Sequence, residues 1–315
     1  MSNARFSVPK PVNEPTLNYA PGSPERLKFF ARLNAMKAKV IDIPMYIGGE
    51  EVRSGKKIDI RSPYDHTQLI GKYHEGGPSD MKKAIAAALK ARKDWAALPF
   101  SARAGVFLKA ADLLANDWRW TINAATMLNQ SKNLYQAEID AACEFIDFLR
   151  FNCHFAEQIY AGQPESAKGV WNRLEYRPLE GFVYAVTPFN FTAIAGNIPA
   201  APALMGNTVV WKPSAHAMYS AYWIVKLFEE AGLPPGVINL VTGDPAAVSG
   251  VALTHPDLAG VHFTGSTTVF KGMWATVGAN INAYKNYPRL VGETGGKDFV
   301  LAHSSADPDA VATAL

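Results

Sequence analysis

Beginning at Gly181 the chain alternates short β-branched or aromatic runs with helix-forming stretches, and no other feature constrains its fold as strongly. The runs are 182–186, 208–211, 237–241, 261–263 and 289–292, and the stretches between them predict helices over 193–205, 217–231, 246–253 and 269–277. The runs are apolar throughout rather than alternately polar, so both faces of their sheet must be covered. The expected fold class is α/β, a doubly wound parallel sheet. Ligands of such sheets bind beyond the carboxyl ends of the strands, which makes the residues after each run the informative ones.

The amino-terminal half reads differently. Residues 1–24 are rich in Pro, Asn and Ser and predict an extended arm on the surface, followed by a helix from Pro24 through Leu33. Residues 45–52, turning at Gly48-Gly49, and 57–61 read as short strands or a hairpin. Ser79-Asp80 suits an N-cap for an Ala-rich helix over 81–97, and three more helices are expected after Ser101, over 122–128 and over 137–159. Residues 163–178, with Pro, Gly and mixed charge around Trp171 and Tyr176, predict a projecting hairpin of the kind that makes subunit contacts.

Composition excludes several classes. Of the 315 residues 48% are hydrophobic and 19% charged, enough apolar material for a sizeable core. The net charge is only +3, with Lys and Arg scattered among acids, so neither a nucleic-acid stripe nor a polybasic membrane patch is present. No apolar run approaches the roughly 18 residues that cross a bilayer. The start lacks the apolar core of a secretory signal, and Pro9, Pro11 and Glu14 interrupt any amphipathic mitochondrial presequence. The two cysteines, Cys143 and Cys153, show no metal spacing and fall inside an expected helix, where they read as buried apolar residues. A reducing setting is expected, cytoplasmic with the mitochondrial matrix as the alternative.

The strand ends are unusual in residue type. Thr187-Pro188-Phe189-Asn190 follows the first run: Asn190 could cap the next helix, or its amide could stabilise an oxyanion. The second run ends in Trp211-Lys212-Pro213-Ser214, where the Lys212 ammonium could bind a ribose or phosphate or could simply be solvated. Gly243 allows a tight turn after the third run. Phe263-Thr264-Gly265-Ser266-Thr267 opens a helix whose amino terminus suits a pyrophosphate, although an ordinary cap by Ser266 or Thr267 is the plainer reading. Glu293-Thr294-Gly295-Gly296-Lys297 follows the fifth run: Glu293 before a flexible Gly-Gly could act as a general base on a mobile loop. Val291 and Asp298 break the P-loop pattern, and no GxGxxG occurs.

Taken in order, these four motifs resemble those of the aldehyde dehydrogenase superfamily. Within it, Val8 to Arg26, the stretch around Glu138-Ile139-Asp140 and Phe148-Leu149-Arg150-Phe151, and Ala200 to Asn207 are similar to a branch acting on L-glutamate γ-semialdehyde. The resemblance implies NAD as cofactor, a small aldehyde as substrate and a homo-oligomeric enzyme. It implies that Asn190 stabilises the oxyanion and Glu293 activates water. Lys212, with Ser214 beside it, would hold the adenosine ribose, and Gly265, Ser266, Thr267, Thr268 and Val269 would meet the pyrophosphate. Thr187, Pro188 and Phe189 would lie near the nicotinamide ribose, with Gly243 at the neighbouring strand end. The organisation expected is an arm over 1–34, a Rossmann-like NAD-binding domain over 35–162 and 179–291, an oligomerisation hairpin over 163–178, and the start of a catalytic domain over 292–315.

Three departures stand out. Ala215 replaces an acid that in relatives pairs with the adenosine ribose hydroxyls, which weakens discrimination against a 2′-phosphate. Thr294 stands where close relatives carry Cys. The family's nucleophilic cysteine lies a few tens of residues beyond the Glu-x-Gly-Gly-Lys motif, past Leu315, so the chain is expected to be an amino-terminal fragment inactive by itself. The alternative is a non-catalytic dinucleotide-binding or scaffolding module.

Overall fold

The computed structural model describes residues 6–315. Its strands are β1 (Ile41–Ile43), β2 (Met45–Ile47), β3 (Glu50–Val52), β4 (Lys57–Ser62), β5 (Asp65–His74), β6 (Phe182–Val186), β7 (Thr208–Lys212), β8 (Ile238–Leu240), β9 (Leu258–Gly265) and β10 (Arg289–Thr294). The helices are α1 (Pro24–Lys37), α2 (Pro78–Ala97), α3 (Phe100–Ala115), α4 (Asp117–Gln130), the single turn α5 (Leu134–Ala137), α6 (Glu144–Ala161), α7 (Thr192–Leu204), α8 (Met218–Ala231), α9 (Pro245–Leu253), α10 (Thr267–Ala279) and α11 (Pro308–Ala314).

The five carboxyl-terminal strands are parallel and stand in the order β10-β9-β6-β7-β8, and the β2–β3 hairpin adds two antiparallel strands at the β8 edge. The chain builds β6, β7 and β8 outward in one direction, then returns across the sheet to start β9 on the other side of β6. That reversal places a crevice at the carboxyl ends of β6 and β9. Strand alternation covers both faces. Val183 and Ala185 of β6 pack with α3, α6, α7 and α8, while Phe182 and Tyr184 pack with α2, α9 and α10. Phe182 is wholly buried, which contributes roughly 1.5–3 kcal/mol. A second sheet, β1-β5-β4, lies outside this layer.

Several expectations are corrected. The arm is extended but not merely superficial: Val8 and Tyr19 are buried, and Tyr19 donates to the buried Glu138 at 2.6 Å. Residues 1–5 of that arm lie outside the described residues. The cap of α2 is Gly77, with Pro78 opening the helix, because the Asp80 carboxylate reaches back to accept from the Gly77 N–H at 3.2 Å. Residues 163–178 contain no paired strands. Their two arms are instead joined by the Gln163 side-chain amide, which both donates to and accepts from the Leu174 backbone. The expected helix over 137–159 is continuous in direction but changes winding, since Glu138–Cys143 is a π-helical segment between α5 and α6. Finally, β10 runs on to Thr294, so Glu293 sits on the edge strand, opposite Thr264 of β9, rather than on a loop.

Candidate functional site

A cavity of about 900 Å³ lies over the carboxyl ends of β6, β7, β9 and β10, at the reversal of strand order. Thr187, Pro188, Phe189 and Asn190 form one wall, Lys212 and Ser214 the next, Gly265, Ser266 and Val269 a third, and Glu293 with Gly295 to Lys297 the last. Four strand ends far apart in sequence thus converge on one space.

Each side chain there has a local cause for its position. The Thr187 hydroxyl accepts from Trp211 Nε1 at 2.9 Å and stitches the end of β6 to β7. Asn190 is exposed, and α7 is capped by Phe191 with no side-chain hydrogen bond, so the capping reading of Asn190 does not hold. Lys212 ends β7 with 8% of its surface exposed. Burial holds its ammonium below the usual lysine range, with the Asp244 charge opposing that shift. Among the described residues no hydrogen bond or ion pair is made by its Nζ. Ser214 caps a short turn by accepting from the His216 N–H at 3.3 Å.

The plainer reading of Ser266 is what the structure shows: it caps α10 by accepting from the Val269 N–H at 3.2 Å. The N–H groups of Thr267 and Thr268 then remain as the unclaimed donors of the first turn, although neither residue lines the cavity. Gly243 does not line it either. Its φ is +139°, and a Cβ there would come within 2.7 Å of the Gly76 carbonyl, so it is a close-packing glycine between the third strand end and the chain before α2. Ser249 and Pro245 line the cavity and were missed. They sit four residues apart on one face of α9, a helical spacing that could have pointed to them, and the Ser249 hydroxyl contacts the Tyr184 hydroxyl at 2.8 Å.

Electrostatically the cavity favours an anion. Lys212, Lys297 and the amino terminus of α10 bring positive charge, and Glu293 is the one carboxylate among the lining residues. Neither cysteine lines it. Burial pushes the thiols of both Cys143 and Cys153 up to about 12, and among the described residues Cys153 has only the Ala104 carbonyl within reach. Both are inert residues of the helical layer.

A doubly wound sheet with a cationic cleft at its switch point defines a cofactor-binding α/β domain. The aldehyde dehydrogenase family model matches residues 51–315, and the chain belongs to that family. It is 50% identical over 308 residues to the probable delta-1-pyrroline-5-carboxylate dehydrogenase of Schizosaccharomyces pombe, covering 96% of this chain and 56% of that protein. It is 49% identical to the mitochondrial delta-1-pyrroline-5-carboxylate dehydrogenase of Emericella nidulans, covering 96% and 54%. Among solved structures, the Δ-pyrroline-5-carboxylate dehydrogenase of Mycobacterium tuberculosis bound with NAD is 58% identical, with a TM-score of 0.97 over 100% of this chain and 59% of that one. The chain therefore spans about half the length of the curated relatives it matches. Among the described residues no helix is long and apolar enough to cross a membrane, and no cluster of His, Cys, Asp and Glu could hold a metal ion.

Proposed function

We propose that this chain is the dinucleotide-binding half of an NAD-dependent enzyme that oxidises L-glutamate γ-semialdehyde, the open form of 1-pyrroline-5-carboxylate, to L-glutamate in proline breakdown. The observation that carries the reading is the convergence of Asn190, Lys212, the α10 amino terminus and Glu293 on one cavity. The residues fit a dinucleotide: Lys212 is a nearly buried ammonium open to the cleft, and Thr267 and Thr268 offer free backbone donors for a diphosphate. NAD, when bound, accepts the hydride.

The rest is the work of this chain's own groups. Lys212 and Ser214 hold the adenosine ribose, and Gly265, Ser266, Thr267, Thr268 and Val269 position the diphosphate. The backbone of Thr187, Pro188 and Phe189 orients the nicotinamide end. The Asn190 amide donates to the oxygen of the aldehyde as negative charge develops there, and Glu293 takes a proton from the water that releases the acid. The nucleophile this chemistry needs is not supplied by Cys143 or Cys153, both buried and outside the cavity. Residues 1–34 serve as an arm, 35–162 and 179–291 as the NAD-binding domain and 292–315 as the opening of a catalytic domain. The exposed Val170, Trp171 and Leu174 in 163–178 make the contact of a homo-oligomer. The mitochondrial label on the Emericella relative supports the matrix as the alternative to the cytoplasm.

An NAD-reduction assay with glutamate semialdehyde tests the reading on this chain and on its full reading frame together. Activity only in the full frame, lost in Glu293→Gln and Asn190→Ala, is the expected result. Activity in the 315-residue chain alone would return Cys143 and Cys153 to consideration. Dinucleotide binding with no activity in either protein would favour a non-catalytic binding module.

A further inference from the structure

The segment that carries Asn190 is held from outside the sheet. Helix α7 starts two residues later, and Phe191 gives it no side-chain cap, so its first N–H groups need another partner. The π-helical segment lies beside that start. Asp140 is 5% exposed and sits on this π-helical segment, which packs against α7. One of its oxygens accepts from the Lys132 ammonium, and the other is buried without a closed hydrogen bond of its own.

The same Lys132 Nζ lies 3.8 Å above the centre of the Phe191 ring, a cation–π contact. From the other side, the Thr192 hydroxyl is gripped by Thr126 Oγ1 at 2.7 Å and Gln130 Nε2 at 2.8 Å. Asn190 itself makes no such contact and lies between two spaces, the cofactor cavity and a second one of about 480 Å³ bordered by Gln130, Lys132 and His216. Its position is thus set by its neighbours and not by its own bonds. Asp140 lies within the π-helical segment, a winding frequent at functional sites.

We infer that Asp140 is a positioning residue for the proposed oxyanion donor: it holds the Lys132 ammonium over the Phe191 ring, thereby fixing where the Asn190 amide next to that ring points. The inference rests on the reading of Asn190 given above. Loss of the Asp140 charge frees Lys132 from the Phe191 ring without touching the adenosine end of the cleft. Displacements of this kind cost about tenfold to hundredfold in rate.

Two measurements test it. In the 315-residue chain, Asp140→Asn is expected to speed amide hydrogen exchange at Thr192 and Ala193 relative to wild type, while the Gly265 amide in β9 is unchanged. In the full reading frame, Asp140→Asn is expected to lower kcat about tenfold and to leave KM for NAD unaltered. Asn190→Ala runs alongside. If Asn190→Ala lowers kcat and Asp140→Asn does not, the positioning role is overturned while the oxyanion reading stands. If Asn190→Ala has no effect, the underlying reading fails instead. Should Asp140→Asn not fold, Phe191→Leu, which removes the exposed ring that Lys132 holds, decides in the full reading frame: an unchanged kcat overturns the proposal, and a lowered kcat with unaltered KM for NAD supports it.

Discussion

The cofactor cleft and the buried anchor of the amino-terminal arm are built from the same residue types and handle them in opposite ways. At the anchor, the wholly buried Glu138 accepts from the Leu17 N–H at 2.9 Å, the Tyr19 hydroxyl at 2.6 Å, Asn123 Nδ2 at 2.8 Å and the Arg119 guanidinium. Arg119 in turn reaches Glu14 at 2.6 Å and the Pro15 carbonyl at 2.8 Å. The arm, α4 and the π-segment are closed around one another. In the cleft, the Lys212 ammonium, the Asn190 amide and the Glu293 carboxylate make no hydrogen bond among the described residues. A polar group satisfied inside the protein has nothing left for a ligand, whereas one left open at a strand end retains its full capacity. The first arrangement is architecture and the second is a binding surface.

The contrast breaks most sharply at the anchor. Arg119→Ala leaves Glu138 charged and buried with its main counter-ion gone, and should destabilise the chain by about 3–5 kcal/mol in urea unfolding. The dinucleotide affinity of the fraction that remains folded should not change. At the cleft the same type of truncation should do the reverse. Asn190→Ala in the full reading frame is expected to lower kcat by about 100- to 1,000-fold while leaving the unfolding midpoint where it is, because an exposed amide without partners supports nothing else.

Lys212 sharpens the comparison because both effects fall on one residue with opposite signs. Its ammonium is nearly buried and, among the described residues, unpaired, an arrangement that costs stability until a ligand supplies acceptors. Lys212→Met should therefore raise the unfolding free energy by about 1 kcal/mol and weaken NAD binding by about tenfold or more, read by urea unfolding and by calorimetry on the same preparation. A variant that lost both would place Lys212 with the architecture.

The cleft was far more legible in the sequence than the anchor, for a physical reason. Strands β6 to β10 announce themselves as apolar runs, and the rule that parallel sheets bind at their carboxyl ends turns each following residue into a candidate. Lys212, Asn190, Gly265 and Glu293, all of which line the cavity, were singled out that way. Gly243 was drawn in by the same rule and belongs to packing. The anchor has no local signal: Glu138 meets Tyr19 across 119 residues of chain, and nothing in a Pro-rich arm shows that one tyrosine will be buried. The π-segment is equally silent, since an apolar period near four suits α and π winding alike. Strand β5 was missed because Asp65 to Gln68 open it with polar residues on both faces.

The smallest expected effect separates two carboxylates only two residues apart. Burial alone would raise Glu138, but hydrogen bonds from Arg119, Tyr19 and the Leu17 N–H outweigh it and bring the group below its usual 4.5. Burial does raise Asp140, and Lys132 recovers only part. By linkage, a depressed carboxylate adds stability that is complete above its unfolded value and is lost as pH falls through the folded one. A raised carboxylate binds its proton more readily in the folded state, so its contribution improves as pH falls. The two neighbours thus bend the acid limb in opposite directions. Urea midpoints followed between about pH 6 and pH 3.5 should show a flatter decline than wild type for Glu138→Gln and a steeper one for Asp140→Asn. Parallel curves for the two variants would mean that the π-segment does not divide the anchor from the Asn190 clamp, and that both carboxylates belong to one structural network.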